Sequence, residues 1–529
     1  MAKICLCLTA KTLKRNLEIL DKYRKHTDIA ELRVDCLEPD ERFLIRRFPE
    51  QAGMPVILTI RRDIEGGQFI GGESARINLM ARGLAYAEAD RRRNFAYLDI
   101  EEDLNVPSLE EAARTFGTRI IRSYHNIKTT GTDLSAKIRS MNRFGDEIVK
   151  VAVTANSTAD VLELLRAGKE CAKQEKILIS MGHYGVFSRI LAEQFGSYLS
   201  YASVLSEPDI FPTAPGQIDV QKLAGLYRFR SITRTTKIYG VAGFPLKNTG
   251  SPLFFNTVFG LEDINAVYVP FPTDSLPALM ELANELNIAG LSVTVPCKEI
   301  IIPFLDSLSP EVQNIGACNT LSRSPQGWFG TNTDARGFSD SLLAFLLKTS
   351  LKRQRVTVIG AGGAARSVVS ELYRLGAKAL ILNRTVYKAR TLAAPYKFAW
   401  GGLDNRGIAM MDKYRDIIIQ TTPVGMEGSD SDDSLYPSDV LHPLDVLYPS
   451  DPLYPLDPLP MYSFSGREEV MDLVYQREMS PFLKRAADAG CRILNGYDML
   501  IRQARYQYTQ FAGREFPEQL LTRVQFGRG

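Results

Sequence analysis

Residues 3–227 alternate short apolar runs with amphipathic stretches eight times over, and this rhythm restricts the fold more than any other property of the chain. The runs cover 4–8, 29–34, 56–60, 95–100, 119–123, 148–153, 177–180 and 198–204. Runs of that length read as strands, and helical stretches between them make the strands parallel. Eight such units predict a (β/α)8 barrel over residues 1–230, whose chemistry belongs at the carboxyl ends of its strands. A polar connector, 228–236, precedes a fresh strand at Lys237, and the domain boundary is placed there. With 529 residues the chain exceeds one ordinary core, so further domains are expected.

Composition excludes several classes of function. Lys plus Arg (64) nearly balance Asp plus Glu (61) and are dispersed, which argues against a nucleic-acid partner. No apolar run approaches the ~18 residues of a membrane span. The first ten residues read as a buried strand rather than a signal peptide, because charge follows at once. Seven cysteines without a Cys-x-x-Cys pair predict reduced thiols in a cytoplasmic protein, Cys297 and Cys318 among them as buried thiols. No His/Cys cluster has the spacing of metal ligands, so no metal is expected. Residues 428–460 read as an insertion carrying four proline-containing hexapeptides, each of which blocks helix and central strand. That insertion is expected to take no part in chemistry, although its leucines and tyrosines could dock on a partner.

The polar residues at the expected carboxyl ends of the barrel strands are Glu31, Arg33, Arg61, Glu65, His125, Lys150 and Arg189. Lys150, between Val149 and Val151, points into the barrel or its mouth, where desolvation and nearby arginines favour a neutral amine able to attack a ketone. A lone lysine more often buries its stem and leaves its head in water. His125, closing the preceding strand, favours the imine reading, since imine chemistry needs a proton shuttle beside the amine.

These stretches resemble the type I 3-dehydroquinate dehydratase family: Glu-Leu-Arg-Val-Asp (31–35), Thr-Ile-Arg-Arg-Asp-Ile-Glu-Gly-Gly (59–67), Ser-Tyr-His (123–125), Val-Lys-Val-Ala (149–152), Ser-Arg (188–189) and Thr-Ala-Pro-Gly-Gln (213–217). The resemblance implies that Lys150 forms an imine with the substrate ketone. His125 would remove the adjacent proton and help expel the hydroxyl, with Glu65 orienting the imidazole. Arg189, with Arg61, Arg33 and Glu31, would hold the substrate carboxylate and hydroxyls, under a lid carrying Thr213 and Gln217. Thr213 stands where serine is usual, and Arg62 replaces a small polar residue.

Downstream, Gly360-Ala-Gly-Gly-Ala-Ala365 follows a Val-Thr-Val-Ile strand, a variant of the dinucleotide turn in which glycines admit a pyrophosphate to a helix N-terminus. Gly360, Gly362, Gly363, Ala364 and Ala365 are the expected contacts. The next strand ends in Asn383, Arg384 and Thr385, with Lys388 a turn on. Cations there instead of an acid favour a 2′-phosphate, hence NADP. Lys298 and Asp334 lie just upstream, a pair suited to supplying a proton as a hydride reaches a carbonyl. A surface ion pair of the same composition would contribute only ~0–1 kcal/mol. The region is expected to be a two-lobed α/β unit, a substrate lobe over 237–340 and a Rossmann-type lobe over 350–480, with helices from 481–525 packing back on the former.

Residues 238–525 resemble the shikimate dehydrogenase family, through Gly243-Phe-Pro-Leu-Lys-Asn-Thr-Gly-Ser-Pro252, Gly290-Leu-Ser-Val-Thr-Val-Pro-Cys-Lys298 and Gly330-Thr-Asn-Thr-Asp334. The resemblance implies a proton-handling Lys298, and an Asp334 that binds a ring hydroxyl and fixes the lysine. It assigns substrate contacts to Thr249, Ser251, Thr294, Asn319, Tyr475 and Gln503, and the nicotinamide environment to Thr422, Leu473, Gly496 and Met499. Asn248 and Gly250 depart from the family pattern, and Ser292 stands where asparagine is common. Taken together, the chain is expected to dehydrate 3-dehydroquinate and to reduce the resulting 3-dehydroshikimate with NADPH. The alternatives are an NAD-using quinate/shikimate dehydrogenase and a non-catalytic quinate sensor; monomer and homodimer both stay open. Arg384→Asp is expected to raise KM for NADPH far more than for NADH in steady-state kinetics, and equal effects would refute the NADP assignment.

Overall fold

The computed structural model describes residues 1–84, 93–244, 246, 249–425, 456–475, 478–521 and 523. The chain forms two compact units, Met1–Leu246 with Pro252–Ile288, and Lys247–Ser251 with Ala289–Gly529.

In the first unit, eight parallel strands follow one another around a barrel: β1 (Lys3–Leu8), β2 (Ile29–Arg33), β3 (Val56–Thr59), β4 (Tyr97–Glu101), β5 (Arg119–Asn126), β6 (Ile148–Thr154), β7 (Lys176–Met181) and β8 (Leu199–Ser203). β8 pairs with β1, and the Tyr198 amide donates to the Lys176 carbonyl at 2.6 Å, which brings the two ends of the sheet together. A ninth strand, β9 (Ile218–Asp219), lies beside β8. β5 runs three residues past the expected end, because Tyr124, His125 and Asn126 keep pairing with Val151, Ala152 and Val153 of β6.

Alternation along each strand sends every second side chain inward. The lower interior is apolar, with Cys5, Ile29, Ile57, Ile121, Ile148 and Ile177 in one buried cluster. Two residues further up, the same columns carry Cys7, Glu31, Thr59, Ser123 and Lys150. The barrel is therefore an apolar plug beneath a polar chamber. Outside, Val149, Val151 and Val153 of β6 pack under helices in a separate cluster. Helix Thr158–Glu170, which follows β6, starts on Ser157 with a reciprocal capping box to Asp160.

The connector 228–236 does not divide the two compact units. Strands β10 (Lys237–Gly243) and β11 (Ala266–Pro272) pair in parallel and belong with the barrel unit. Helix Leu276–Glu285 follows them, and Thr158 reaches the loop before it by donating to Asp274 at 2.8 Å.

In the second unit, β12 (Ile288–Val293) pairs antiparallel with β14 (Thr320–Ser324), β14 pairs antiparallel with β15 (Gly327–Thr331), and β13 (Ser307–Leu308) pairs with β15 in parallel. A second sheet, all parallel, has the order β18-β17-β16-β19-β20-β21, from β16 (Arg355–Ile359), β17 (Lys378–Leu382), β18 (Ala399–Gly401), β19 (Ile417–Gln420), β20 (Glu469–Asp472) and β21 (Arg492–Leu494). The order reverses between β16 and β19, which opens a crevice at their carboxyl ends. Helix Gly496–Ala512 packs on helix Thr333–Leu346. Gly337 permits that approach, since a Cβ there would stand 2.8 Å from the Cβ of Gln503.

Most of the predicted insertion lies outside the described residues. Its last part, 456–460, is folded into the lobe: Leu459 is buried in the core, and Asp457 pairs with Arg485 at 2.9 Å.

Candidate active sites

The polar chamber of the barrel is centred on Lys150. Its Nζ lies 2.8 Å from Asp99 Oδ2 and 4.0 Å from Glu31 Oε1, and sits over the Tyr201 ring at 4.5 Å. Asp99 Oδ1 accepts from Arg61 Nη2 and from Ser123 Oγ, both at 2.6 Å. Arg61 also donates to Glu101 at 2.6 Å and to Glu65 at 3.2 Å. Burial would raise the Asp99 carboxyl, but the charges of Arg61, Lys150 and His125 hold it well below the ordinary carboxylate range. Arg33 forks onto Asp35 at 2.9 and 2.7 Å. Arg33 and Arg61 are thus committed to carboxylates of the protein itself. Glu31 accepts from Thr59 at 2.9 Å and from the Cys7 thiol at 3.1 Å.

His125 stands at the rim, its side chain 9% exposed. Nδ1 is 3.8 Å from Glu65 Oε2 and makes no hydrogen bond among the described residues. Burial first, then Arg61 and Lys150, push the imidazole well below its usual value, so His125 is a neutral base. Arg189 is buried, with Nε unpartnered among the described residues and Nη2 on the Pro215 carbonyl at 3.3 Å. Desolvation brings its guanidinium down to about 10. A buried cation with an idle donor is a receptor for an anion. Pro215 belongs to the segment carrying Thr213 and Gln217. Gln217 accepts from the Thr213 amide at 2.7 Å and donates to Cys7 Sγ at 3.1 Å, tying that segment to β1.

In the second unit Lys298 Nζ lies 2.6 Å from Asp334 Oδ2. Asp334 sits in the first turn of helix Thr333–Leu346, which Asn332 caps. Asn319 ties β14 to that helix, accepting from the Thr333 amide at 2.8 Å and donating to its hydroxyl at 3.0 Å. Thr249 accepts from the Ser251 amide at 3.4 Å. The Thr294 carbonyl accepts from Cys297, one residue before the lysine. Tyr475 stands against Asp334, whose charge adds to burial in raising the phenol. Gln503 is buried and donates to the Leu500 carbonyl at 2.9 Å.

The glycine-rich turn adjoins this pair. A Cβ on Gly363 would meet the Lys298 stem at 3.3 Å, one on Gly362 would meet nothing within 4 Å, and Gly360 has φ +111°. The open space at Gly362 lies at the uncapped N-terminus of helix Gly363–Arg374, as a pyrophosphate requires. Ala364 is partly covered, whereas Ala365 packs into the core beneath. Arg384, Thr385 and Lys388 are exposed at the end of β17, and Asn383 holds the turn by donating to the Thr385 carbonyl at 3.0 Å. Leu473 and Gly496 touch through backbone, since a Cβ on Gly496 would fall 2.4 Å from the Leu473 carbonyl. Thr422 is braced by Gln420, and Met499 is buried in the core.

Comparison with known proteins decides what this pair of sites belongs to. Residues 4–234 match the model of type I 3-dehydroquinase, 241–321 the shikimate dehydrogenase substrate binding domain, and 343–423 shikimate / quinate 5-dehydrogenase. The bifunctional 3-dehydroquinate dehydratase/shikimate dehydrogenase of Arabidopsis thaliana is 29% identical over 98% of this chain and 84% of its own length. The shikimate dehydrogenase (NADP(+)) of Syntrophobacter fumaroxidans is 32% identical over 54% of this chain and 90% of its own length. The chain belongs to both families, as a type I 3-dehydroquinase fused to a shikimate dehydrogenase.

Within the dehydroquinase half, reading the sequence passed over Asp99, Glu101, Ser123 and Cys7, which surround Lys150 and Arg61. Their signal is the spacing Tyr97-Leu-Asp-Ile-Glu101, with two acids facing one way on a strand. Within the dehydrogenase half it passed over Asp472. Burial raises this carboxyl to about 7, and it accepts from Ser480 Oγ at 2.6 Å beside Leu473. Among the described residues no cluster of ligands could hold a metal ion, and no helix is long and apolar enough to cross a membrane.

The buried neutral His125 carries a pH signature. Its folded-state pKa lies below the unfolded value, so the unfolded chain takes up the proton first. Its contribution to stability is complete above about pH 6.5 and is lost as pH falls toward the folded pKa. Denaturant midpoints measured from neutral pH downward are therefore expected to fall less steeply for His125→Asn than for the wild type; parallel declines would contradict a neutral buried imidazole.

Proposed function

We propose that the barrel dehydrates 3-dehydroquinate to 3-dehydroshikimate through an imine on Lys150, and that the second site reduces 3-dehydroshikimate to shikimate with NADPH. The observation that carries the first half is a buried primary amine beside a neutral imidazole whose Nδ1 is unbonded among the described residues, at the carboxyl end of a barrel. Lys150 adds to the ketone, water leaves, and the cationic imine acidifies the neighbouring C–H. His125 takes that proton, and Glu65 faces the imidazolium so formed. The same proton then leaves with the departing hydroxyl as water, and hydrolysis of the imine frees the lysine. Arg189, with its idle Nε, is the receptor for the carboxylate. Arg33 and Arg61 act through the carboxylates they hold, leaving Glu31, Thr213 and Gln217 for hydroxyls and closure.

In the second site the bound dinucleotide supplies the hydride. Lys298 delivers the proton to the carbonyl oxygen, and Asp334 fixes the ammonium and accepts from a ring hydroxyl. Thr249, Ser251, Thr294, Asn319, Tyr475 and Gln503 complete the substrate environment. Gly363 against the Lys298 stem supports this reading, because it sets the cofactor turn beside the proton donor. Arg384 and Lys388, exposed at the end of β17, support a 2′-phosphate. Functionally the chain divides into 1–230, 237–340 with 481–525, and 350–480. Seven cysteines, all free and buried, support residence in the reducing cytoplasm.

Incubating the protein with 3-dehydroquinate and NADPH should yield shikimate. Lys150→Ala should abolish dehydration and the borohydride-trapped adduct while sparing reduction of added 3-dehydroshikimate. Dehydration at the wild-type rate by that variant would refute the mechanism. The same reductase assay, repeated with quinate and NAD, separates a shikimate enzyme from a quinate-active one.

A further inference from the structure

Arg62 is where this chain leaves the dehydroquinase pattern inside a catalytic motif, and its guanidinium folds over Glu65 instead of into solvent. Nη2 donates to Glu65 Oε1 at 2.9 Å, and the same group forks onto Asp103 at 2.9 and 3.0 Å. Glu65 is thereby gripped at both oxygens: Arg62 takes Oε1, while Arg61 takes Oε2 at 3.2 Å. Oε2 is the atom 3.8 Å from His125 Nδ1. The backbone of Arg62 works in the same sense, its carbonyl accepting from the Glu65 amide at 3.2 Å and the Gly67 amide at 2.8 Å. Asp103 follows β4 directly, so one strand end anchors both arginines, Arg61 through Asp99 and Glu101 and Arg62 through Asp103. A forked contact fixes the plane of a guanidinium, as a single contact from a lysine or serine would not.

We propose that Arg62, anchored by Asp103, is a positioning residue of the dehydratase that holds Glu65 Oε2 toward His125. This rests on the reading of His125 as the base and Glu65 as its partner, and deepens it by naming what keeps that partner in place. The charged groups facing Glu65 are Arg61 and Arg62 from its own loop, Glu101 and Asp103 from β4 and the turn after it, and His125 from β5. Burial raises the Glu65 carboxyl first; Arg61 opposes, Glu101 reinforces and Arg62 opposes. Loss of Arg62 removes one of the two restraining cations, so Glu65 stays protonated to higher pH. The acid limb of dehydration then moves toward neutrality.

The test is the pH profile of dehydration for the full chain as wild type, Arg62→Ser, Arg62→Lys, Asp103→Asn and Glu65→Gln. Reduction of 3-dehydroshikimate and borohydride trapping at Lys150 are followed in parallel. Arg62→Ser is expected to lose on the order of tenfold in kcat at neutral pH, a fraction of what a general base contributes. Its acid limb should shift upward, with KM, trapping and reduction kept. Arg62→Lys should recover part of the loss, and Asp103→Asn should fall between. An Arg62→Ser profile that superimposes on the wild type, or that drops equally at every pH with the limb unmoved, overturns the proposal. Wild-type dehydration by Glu65→Gln would instead remove the underlying reading of Glu65, whatever Arg62 does.

Discussion

Arg61, Asp99 and Lys150 form the contact on which the first site depends. Two cations share one buried carboxylate, with 2.6 and 2.8 Å contacts. Desolvating three charges is expensive, and such a cluster persists only when each member is satisfied. Asp99 achieves this by also accepting from Ser123, and Arg61 by reaching Glu101 and Glu65. Deleting Asp99 would leave Lys150 with Glu31, at 4.0 Å, as its nearest remaining carboxylate, which makes Asp99 the costliest member to lose. The apolar plug beneath the chamber, built from the isoleucines of the lower strand positions, keeps water from relieving that demand from below.

That chamber also explains what could and could not be read from residues alone. The eight strands were legible because parallel strands covered by helices keep an apolar face outward, which leaves apolar runs at 4–8, 56–60 and 148–153. β4 carries the opposite lesson. Tyr97-Leu-Asp-Ile-Glu101 has the alternation of a half-buried strand, in which polar residues face solvent. In a closed barrel the outward residues, Leu98 and Ile100, pack under helices, and Asp99 and Glu101 face the chamber. Lys150 escaped this ambiguity because valines flank it on both sides. The end of β5 was underestimated because the apolar run stops at Ser123, yet the backbone of Tyr124, His125 and Asn126 goes on pairing with β6 and brings the His125 side chain to the site.

In the dehydrogenase half the glycine-rich turn and the Lys–Asp pair were legible because each occupies a contiguous motif. That they serve one site was read from their order along the chain; the packing of Gly363 on the Lys298 stem comes only with folding. The orientation of the Ala365 side chain was hidden for the same reason. Within a run of small residues nothing distinguishes one that faces the ligand from one that faces the core, and helix geometry turns Ala365 inward. The boundary at 228–236 was drawn from polarity, and the two family models change over there, between 234 and 241; the compact units divide later because β10 and β11 pack with the barrel unit.

Both sites place a lysine against an aspartate, and the surroundings separate their tasks. At Lys150 the ammonium is one of several charges enclosed with Arg61, Glu31 and Glu101, and an aromatic ring covers it. A protonated imine on that nitrogen would carry the same positive charge as the ammonium, so Asp99 would face a cation before and after such a condensation. Lys298 and Asp334 form a simpler pair, with side chains 15% and 9% exposed. Solvent reaches that ammonium, as a proton donor would require. A nucleophile needs an enclosure that tolerates a persistent cation, and a proton donor needs a path for resupply. The same two residue types meet both needs because burial and neighbouring charge, not identity, set what each amine can do.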